Sequence, residues 1–232
     1  MRTNTLLLTA ALVAAGVATS MAQTVYSVNA VGYVNKVIAP GFNFVGNPLN
    51  GTPNNAISTI IPTAPDNTVV LQWNNAASGF DGLKTKTCFG NLWFFNDFSD
   101  ASASAINPGE GFFIQNQGAT SFTLTFVGEV PQGLGLIVPI LTGFNMVSSI
   151  VPAAQPFSVS GFNAGAQDNV TYNTFDNGVG QYTSALTYLG GSWYDAGFNV
   201  VDPTPDVGQG FLIQNPLPNT VFNWSRSFQV SP

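Results

Sequence analysis

Short stretches of alternating apolar and polar residues recur along this chain. Phe122, Leu124 and Phe126 alternate with small polar residues, and Phe222 and Trp224 do the same near the C-terminus. Side chains of an extended strand point to opposite faces in turn, so a period of two indicates strands with one buried face. The pattern therefore predicts an all-β protein.

Turn-forming residues separate these stretches. The chain has 24 Gly and 15 Pro, and Asn107–Gly111 (NPGEG) places Pro and Gly immediately before an apolar run, as a tight turn requires. A helical pattern is confined to the short segment Asn54–Ile61. Strands joined by turns are thus expected almost throughout.

Two halves of the chain repeat one another. The segment GEGFFIQN (Gly109–Asn116) returns as GQGFLIQN (Gly208–Asn215), and Thr120–Val130 corresponds in the same way to Thr220–Val230. Internal similarity at a fixed spacing is the signature of duplicated structural units. We predict two tandem homologous β-sandwich or barrel-like units of about 100 residues each, in which each G-x-G phrase forms a turn and begins a core strand.

The repeat sets the domain boundaries. Residues 23–30 are expected to form an N-terminal extended strand, residues 31–132 the first repeat unit and residues 133–232 the second. The connection Leu134–Leu141 (LGLIVPIL) is apolar, whereas a free linker is polar. The two units should therefore pack together.

The first 22 residues have the features of a secretory signal peptide. Arg2 precedes an apolar run from Leu6 to Ala18, and the small residues Ser20 and Ala22 lead to a cleavage point at residue 23. The apolar run is shorter than a membrane span requires. We expect a secreted protein, extracellular or on the outer cell surface, with no transmembrane segment in the mature chain.

Charge and composition exclude several functions. Only 7% of residues are charged, with five Lys and Arg against eleven Asp and Glu, so no basic surface for nucleic acid can form. The chain has no His, which rules out Ser-His and Cys-His catalysis. Its only glutamates, Glu110 and Glu129, correspond to Gln209 and Gln229 in the second half. A noncatalytic protein is predicted, with a carboxylate-based glycoside hydrolase as a remote alternative.

Candidate ligand residues follow from the strand alternation. Trp93 and Trp193 occupy equivalent positions and are expected in the core, so their neighbours Phe94 and Tyr194 should point the other way. Exposed aromatic rings stack on sugars, and Asp195 could accept sugar hydroxyl groups. Phe94, Tyr194 and Asp195 are the predicted ligand-binding residues if the protein binds carbohydrate.

No cofactor is predicted, and calcium is the only metal for which the sequence offers candidate ligands. Asn96–Asp100 (NDFSD) and Asp202–Asp206 (DPTPD) offer oxygen ligands but lack the spacing of an EF-hand loop. Asp and Asn are also ordinary turn residues. Cys88 is the only cysteine, so it is either a buried thiol or the partner of a disulfide to another chain.

The sequence resembles exported β-repeat proteins of verrucomicrobial bacteria. The resemblance rests on VYSVNAVGYVN (Val25–Asn35) and on PGFNFVGNPLN (Pro40–Asn50). Each unit is also similar to G-W-N…W…P-G-x-G-Y/F β modules of bacterial surface proteins, with Phe42 and Phe144 in place of the first Trp. The resemblance implies an all-β fold and a location outside the cell, and it carries no catalytic residues.

These observations favour a noncatalytic structural or adhesive protein of the cell surface or extracellular matrix. Its partners would be further copies of itself or other surface proteins, with a polysaccharide as the alternative. Thr24–Asn35 is an extended and uncharged segment, and an unprotected strand of this kind can pair with another molecule. It can equally complete the sheet of the first unit.

Overall fold

The computed structural model describes residues 30–80, 82 and 84–230. The signal peptide predicted over 1–22 and the strand predicted over 23–30, apart from Ala30, lie outside the described residues. Among the described residues, the helices are too short to serve as membrane spans.

The first half contains a five-stranded sheet and a two-stranded ribbon. The sheet has the order β2-β6-β3-β4-β5, the ribbon pairs β1 with β7, and every pairing is antiparallel. The elements are β1 (Val31–Ile38), β2 (Gly41–Gly46), α1 (Ile57–Ile60), β3 (Val69–Gln72), β4 (Thr85–Phe89), β5 (Leu92–Phe95), β6 (Gly111–Asn116) and β7 (Phe122–Glu129).

The second half contains a six-stranded sheet, β15-β14-β13-β10-β16-β9, a ribbon that pairs β8 with β17, and a small hairpin of β11 and β12. Its elements are β8 (Gly133–Ile140), β9 (Gly143–Ser148), α2 (Phe162–Gly165), β10 (Thr171–Asn173), β11 (Phe175–Asp176), β12 (Gln181–Tyr182), β13 (Leu186–Leu189), β14 (Ser192–Tyr194), β15 (Val200–Val201), β16 (Gly210–Asn215) and β17 (Phe222–Phe228).

The all-β prediction is confirmed. The helical candidate Asn54–Ile61 contains only the four-residue helix α1. The strand pairings also correspond between the halves. The pair β2–β6 of the first half corresponds to β9–β16 of the second, and the pair β1–β7 corresponds to β8–β17.

Each half has its own apolar core between ribbon and sheet. In β7 the side chains of Leu124 and Phe126 are buried while Thr125 and Val127 face outward, as the alternation predicts. The first core joins these residues to sheet residues such as Val70, Phe112, Ile114 and Trp93. The second core is more aromatic, and includes Phe157, Phe162, Trp193, Phe211 and Trp224.

A third apolar cluster joins the halves. Phe44 and Phe113 of the first sheet contact Met146 of the second, with Leu71 and Leu212 packed against them. The rings of Phe44 and Phe113 are stacked, with centroids 4.5 Å apart. The apolar outer faces of the two sheets therefore cover each other.

Backbone hydrogen bonds between the halves come in a matched pair. The Gly46 N–H donates to the Gly208 carbonyl at 3.1 Å, and the Ser148 N–H donates to the Gly109 carbonyl at 2.9 Å. Gly46 and Ser148 end the corresponding strands β2 and β9, and Gly208 and Gly109 are the first glycines of the two G-x-G turns. Each half thus places its turn on the edge strand of the other.

The second glycine of each turn permits this close approach. A Cβ atom on Gly111 would lie 2.5 Å from the Val147 carbonyl oxygen, and one on Gly210 would lie 2.6 Å from the Val45 carbonyl oxygen. Real Cβ atoms do not come so near to backbone. The repeated phrase is therefore explained by contact between the halves, in addition to the predicted turn and core strand.

Cys88 is fully buried in the first core. Its Sγ lies 3.6 Å from the Ala64 carbonyl oxygen, and burial raises the pKa of the thiol. A thiol in this position packs as a small apolar side chain. The described fold thus favours the buried thiol over the disulfide to another chain.

Alanine at the second glycines should weaken the contact between the halves. We expect Gly111→Ala and Gly210→Ala each to lower the free energy of unfolding by about 1–3 kcal/mol, because the added methyl group displaces backbone of the other half. Gly79→Ala is the control, since its nearest contact would be 3.8 Å away. Chemical denaturation measures the effect, and losses no larger than that of the control would contradict it.

The Cys88 thiol should be unreactive in the folded protein. Because the side chain is buried and its pKa is raised, a thiol reagent at pH 8 should label none of it within minutes and all of it after denaturation. Rapid labelling of the folded protein would show that the core opens at this site.

Candidate functional site

Each sheet ends in a hairpin with an aromatic residue at its tip. In the first hairpin the Phe95 N–H donates to the Ser99 carbonyl and the Phe98 N–H to the Phe95 carbonyl, both at 2.9 Å. The second hairpin has the same two hydrogen bonds. The Asp195 N–H donates to the Asn199 carbonyl and the Phe198 N–H to the Asp195 carbonyl, both at 3.0 Å. We call these loops, Phe95–Ser99 and Asp195–Asn199, the aromatic tips.

The tip residues have an unusual backbone conformation. Phe98 has φ +64° and Phe198 has φ +60°, both in the left-handed region. Gly or Asn normally occupies this position of a hairpin loop, and for a residue such as Phe it costs about 1–2 kcal/mol. Neither half replaces the Phe with a less strained residue.

These side chains are also exposed. Phe98 is 77% and Phe198 is 78% accessible, although both rings are apolar. Burial therefore does not select phenylalanine here, and the backbone disfavours it. The left-handed backbone and the exposed ring together make Phe98 and Phe198 the candidate site residues of this structure.

Carboxylates fix the shape of both tips. The Asp97 carboxylate accepts hydrogen bonds from the hydroxyl group and the backbone N–H of Ser99, and these bonds lower its pKa. The Asp195 carboxylate accepts from the side chain and backbone of Asn199 and from the Gly197 N–H at 2.8 Å, which lowers its pKa as well. The ionised side chains hold the loops that present the rings.

The predicted ligand residues lie beside the tips. Phe94 is half-buried on β5, opposite Thr87, and its ring centroid is 6.3 Å from that of Phe89. Tyr194 is half-buried on β14, opposite Thr187, in the other sheet. Both alternate with buried Trp93 and Trp193, in agreement with the face that the sequence assigns to them.

Asp195 is half-buried, and its carboxylate accepts hydrogen bonds from its own loop. It follows Tyr194 directly, whereas Phe94 belongs to the other half. The predicted residues are therefore divided between the two sheets, with Phe94 on β5 of one and Tyr194 on β14 of the other.

The described grooves are small. One of 190 Å³ lies beside the first tip at Gly82, Phe95 and Asn96, and one of 170 Å³ lies near the second at Trp193 and Val200. A third groove of 260 Å³ lies between the halves. Pockets for small molecules generally occupy about 300–1,000 Å³, so surface contact suits these tips better than an enclosed ligand does.

In both aspartate-rich segments a carboxylate accepts hydrogen bonds from the protein, within a turn at Asp100 and from the distant Ser158 at Asp202. Asp100 accepts from the Ser102 N–H at 2.8 Å, and Asp202 accepts from the backbone and hydroxyl group of Ser158. Over residues 30–80, 82 and 84–230, no three His, Cys, Asp or Glu side chains come together as a metal site would require.

Strand alternation does not identify Phe98 and Phe198 as candidate site residues, because both lie in loops. The available signal was their identity in both halves within loops whose other residues differ, NDFS against AGFN. Burial in the core would explain such identity as well as a role at the surface would. Only the backbone conformation and the exposure of the two side chains distinguish these explanations.

No family model, curated protein or solved structure matches this chain.

Relieving the strained backbone should stabilise the protein. We expect Phe98→Asn and Phe198→Asn each to raise the free energy of unfolding by about 1 kcal/mol, because Asn tolerates a left-handed φ and little buried area is lost. Phe89→Asn is the control, since Phe89 is also partly exposed but is not among the residues with positive φ. Thermal or chemical unfolding measures the change, and destabilisation at all three positions would show that the tips carry no strain.

Proposed function

We propose that this chain is a noncatalytic structural or adhesive protein that acts outside the cell and associates with further copies of itself through its aromatic tips. The supporting observation is the pair of exposed, left-handed phenylalanines, Phe98 and Phe198. The N-terminal sequence supports the location.

The energetics of the tips favour such contacts. Covering an exposed phenylalanine contributes about 1.5–3 kcal/mol, and aromatic pairs add about 0.5–1.5 kcal/mol when their rings stack or meet edge to face. Because one tip belongs to each half, a single molecule carries two contact points. A bivalent molecule can join its neighbours into chains or layers from individually weak contacts.

The chemistry near the tips supports a noncatalytic role. General acid–base catalysis requires a carboxyl group poised to exchange a proton near the working pH. The pKa of Asp97 and that of Asp195 are instead lowered by hydrogen bonds within their own loops. These groups are suited to holding the tips in shape.

Carbohydrate binding is the second candidate. A phenylalanine ring offers an apolar face for a sugar, and Asn96 and Asn199 supply polar groups within the same loops. The carboxylate of Asp195 already accepts several hydrogen bonds, which leaves it less able to bind sugar hydroxyl groups. This observation favours self-association over carbohydrate binding.

Pairing of the N-terminal segment with another molecule is a further route to assembly. In the described part of that segment, β1 pairs with β7 over eight positions, from Val31 with Glu129 to Ile38 with Phe122. One edge of β1 is therefore used within the fold. An added strand would have to use its other edge, so the tips are the preferred contact.

Light scattering over a series of concentrations tests the proposal. We expect the wild-type protein to grow in mass with concentration, the single variants Phe98→Asn and Phe198→Asn to stop at small oligomers, and the double variant to stay monomeric. Tyr33→Asn is the control, because Tyr33 is 71% exposed but lies on β1 away from the tips. It should assemble as the wild type does.

Two other outcomes are informative. A monomeric wild-type protein that is retained on insoluble cellulose or chitin, and released by the double substitution, would establish carbohydrate binding instead. A wild-type protein that neither assembles nor binds these polymers would reject both proposals. Assembly that persists unchanged in the double variant would show that the aromatic tips are not the contact. It would favour pairing through the free edge of β1.

A further inference from the structure

A buried lysine lies in the core of the first half. Lys86 is 1% exposed and is among the largest fully buried side chains. It projects from β4, at a position opposite Val70 on β3 and Phe95 on β5. Amino groups are rarely buried so completely, because removing their charge from water is costly.

The amino group of Lys86 contacts a buried amide. Its Nζ donates to Oε1 of Gln72, which is 2% exposed and lies on the neighbouring strand β3. The Oε1 atom is bonded to Cδ, the carbon at which an amide is attacked. The amine and the carbonyl group of the amide are therefore in contact, and both side chains are buried.

A carboxyl group contacts the other end of the same amide. Gln72 Nε2 donates to Oε1 of Glu110, and also to the Ala105 carbonyl at 2.8 Å. The second Glu110 oxygen accepts from the Asn107 N–H at 3.2 Å. Amine, amide and carboxyl thus follow one another in a single line of contacts.

The second half has neutral residues at the positions that correspond to Glu110 and Lys86. Gln209, the counterpart of Glu110, accepts from the Asp206 N–H at 2.9 Å, so a neutral amide is sufficient to close this turn. Lys86 is opposite Val70 on the neighbouring strand, and Leu186 takes this place opposite Tyr172 in the second half. An apolar residue therefore suits the corresponding position of the second half, whereas the first half places an amino group there.

We propose that Lys86 and Gln72 form an intramolecular isopeptide bond with Glu110 as the acid–base catalyst. Nζ of Lys86 attacks Cδ of Gln72, the new N–C bond forms, and the bond from Cδ to Nε2 breaks. The lysine ammonium gives up two protons, the departing nitrogen takes up two and leaves as ammonium, and nothing is oxidised or reduced. Glu110 contacts the departing nitrogen and transfers a proton to it.

The bond would cross-link two neighbouring strands. It would join β3 to β4 inside the sheet and remove a buried charge from the core. Cross-links of this kind restrict the unfolded chain and resist reduction, unlike disulfides. A chain with a single, buried cysteine would in this way gain a covalent brace.

Mass spectrometry of the purified full chain tests the proposal. The wild-type protein should be lighter by one ammonia, about 17 Da, and after proteolysis Gln72 and Lys86 should appear in one branched peptide. The loss must be located in that peptide, because Gln23 can also lose ammonia. Gln23 becomes the N-terminal residue if the signal peptide is cleaved at the predicted point. Recovery of Gln72 and Lys86 in separate, unmodified peptides would overturn the proposal.

Two substitutions define the role of Glu110. Glu110→Gln reproduces the residue of the second half and keeps the turn contact, so it should fold but form the bond about 100-fold more slowly or not at all. Glu129→Gln is the matched control, since Glu129 is the other glutamate and its counterpart is also glutamine. It should be cross-linked like the wild type. Complete cross-linking in folded Glu110→Gln protein would reject the catalytic role.

Discussion

The close backbone approach at the two G-x-G turns is the constraint on which the architecture depends. Each sheet would otherwise expose the outer edge of β2 or β9, and unpaired edges invite association with other chains. The Gly46 and Ser148 N–H groups instead bond to the turn of the opposite half, which only a residue without a side chain allows at Gly111 and Gly210. The apolar cluster around Phe44 lies between the same two sheets and packs them against each other.

Much of the fold could be predicted because strand alternation is local. The outward Thr125 and inward Phe126 can be read from neighbouring positions, and the repeated phrase identifies corresponding strands. The contact of Gly111 with Val147 could not be predicted, because it depends on how two halves meet in space. The same limit applies to Lys86 and Gln72, whose proximity requires the register of β3 with β4.

Near the aromatic tips, the strand faces could be predicted and the loops could not. Alternation correctly places Phe94 and Tyr194 opposite the buried tryptophans, since it reports the face of a strand. It gives no information about a loop, where backbone dihedral angles decide which way a side chain points. Phe98 and Phe198 adopt a conformation that their residue type disfavours, so local propensity argues against their positions.

The ribbons determine the order in which the protein can fold. Each half pairs its first strand with its last, β1 with β7 and β8 with β17. During synthesis β1 must wait for most of its half before it finds a partner, and such distant pairings make folding slow. The β2 edge stays open until the turn at Gly208–Gly210 has been made, because Val45 pairs with Gln209. A newly made chain therefore passes through a stage at which its neighbours, and not its own second half, are the nearest available partners.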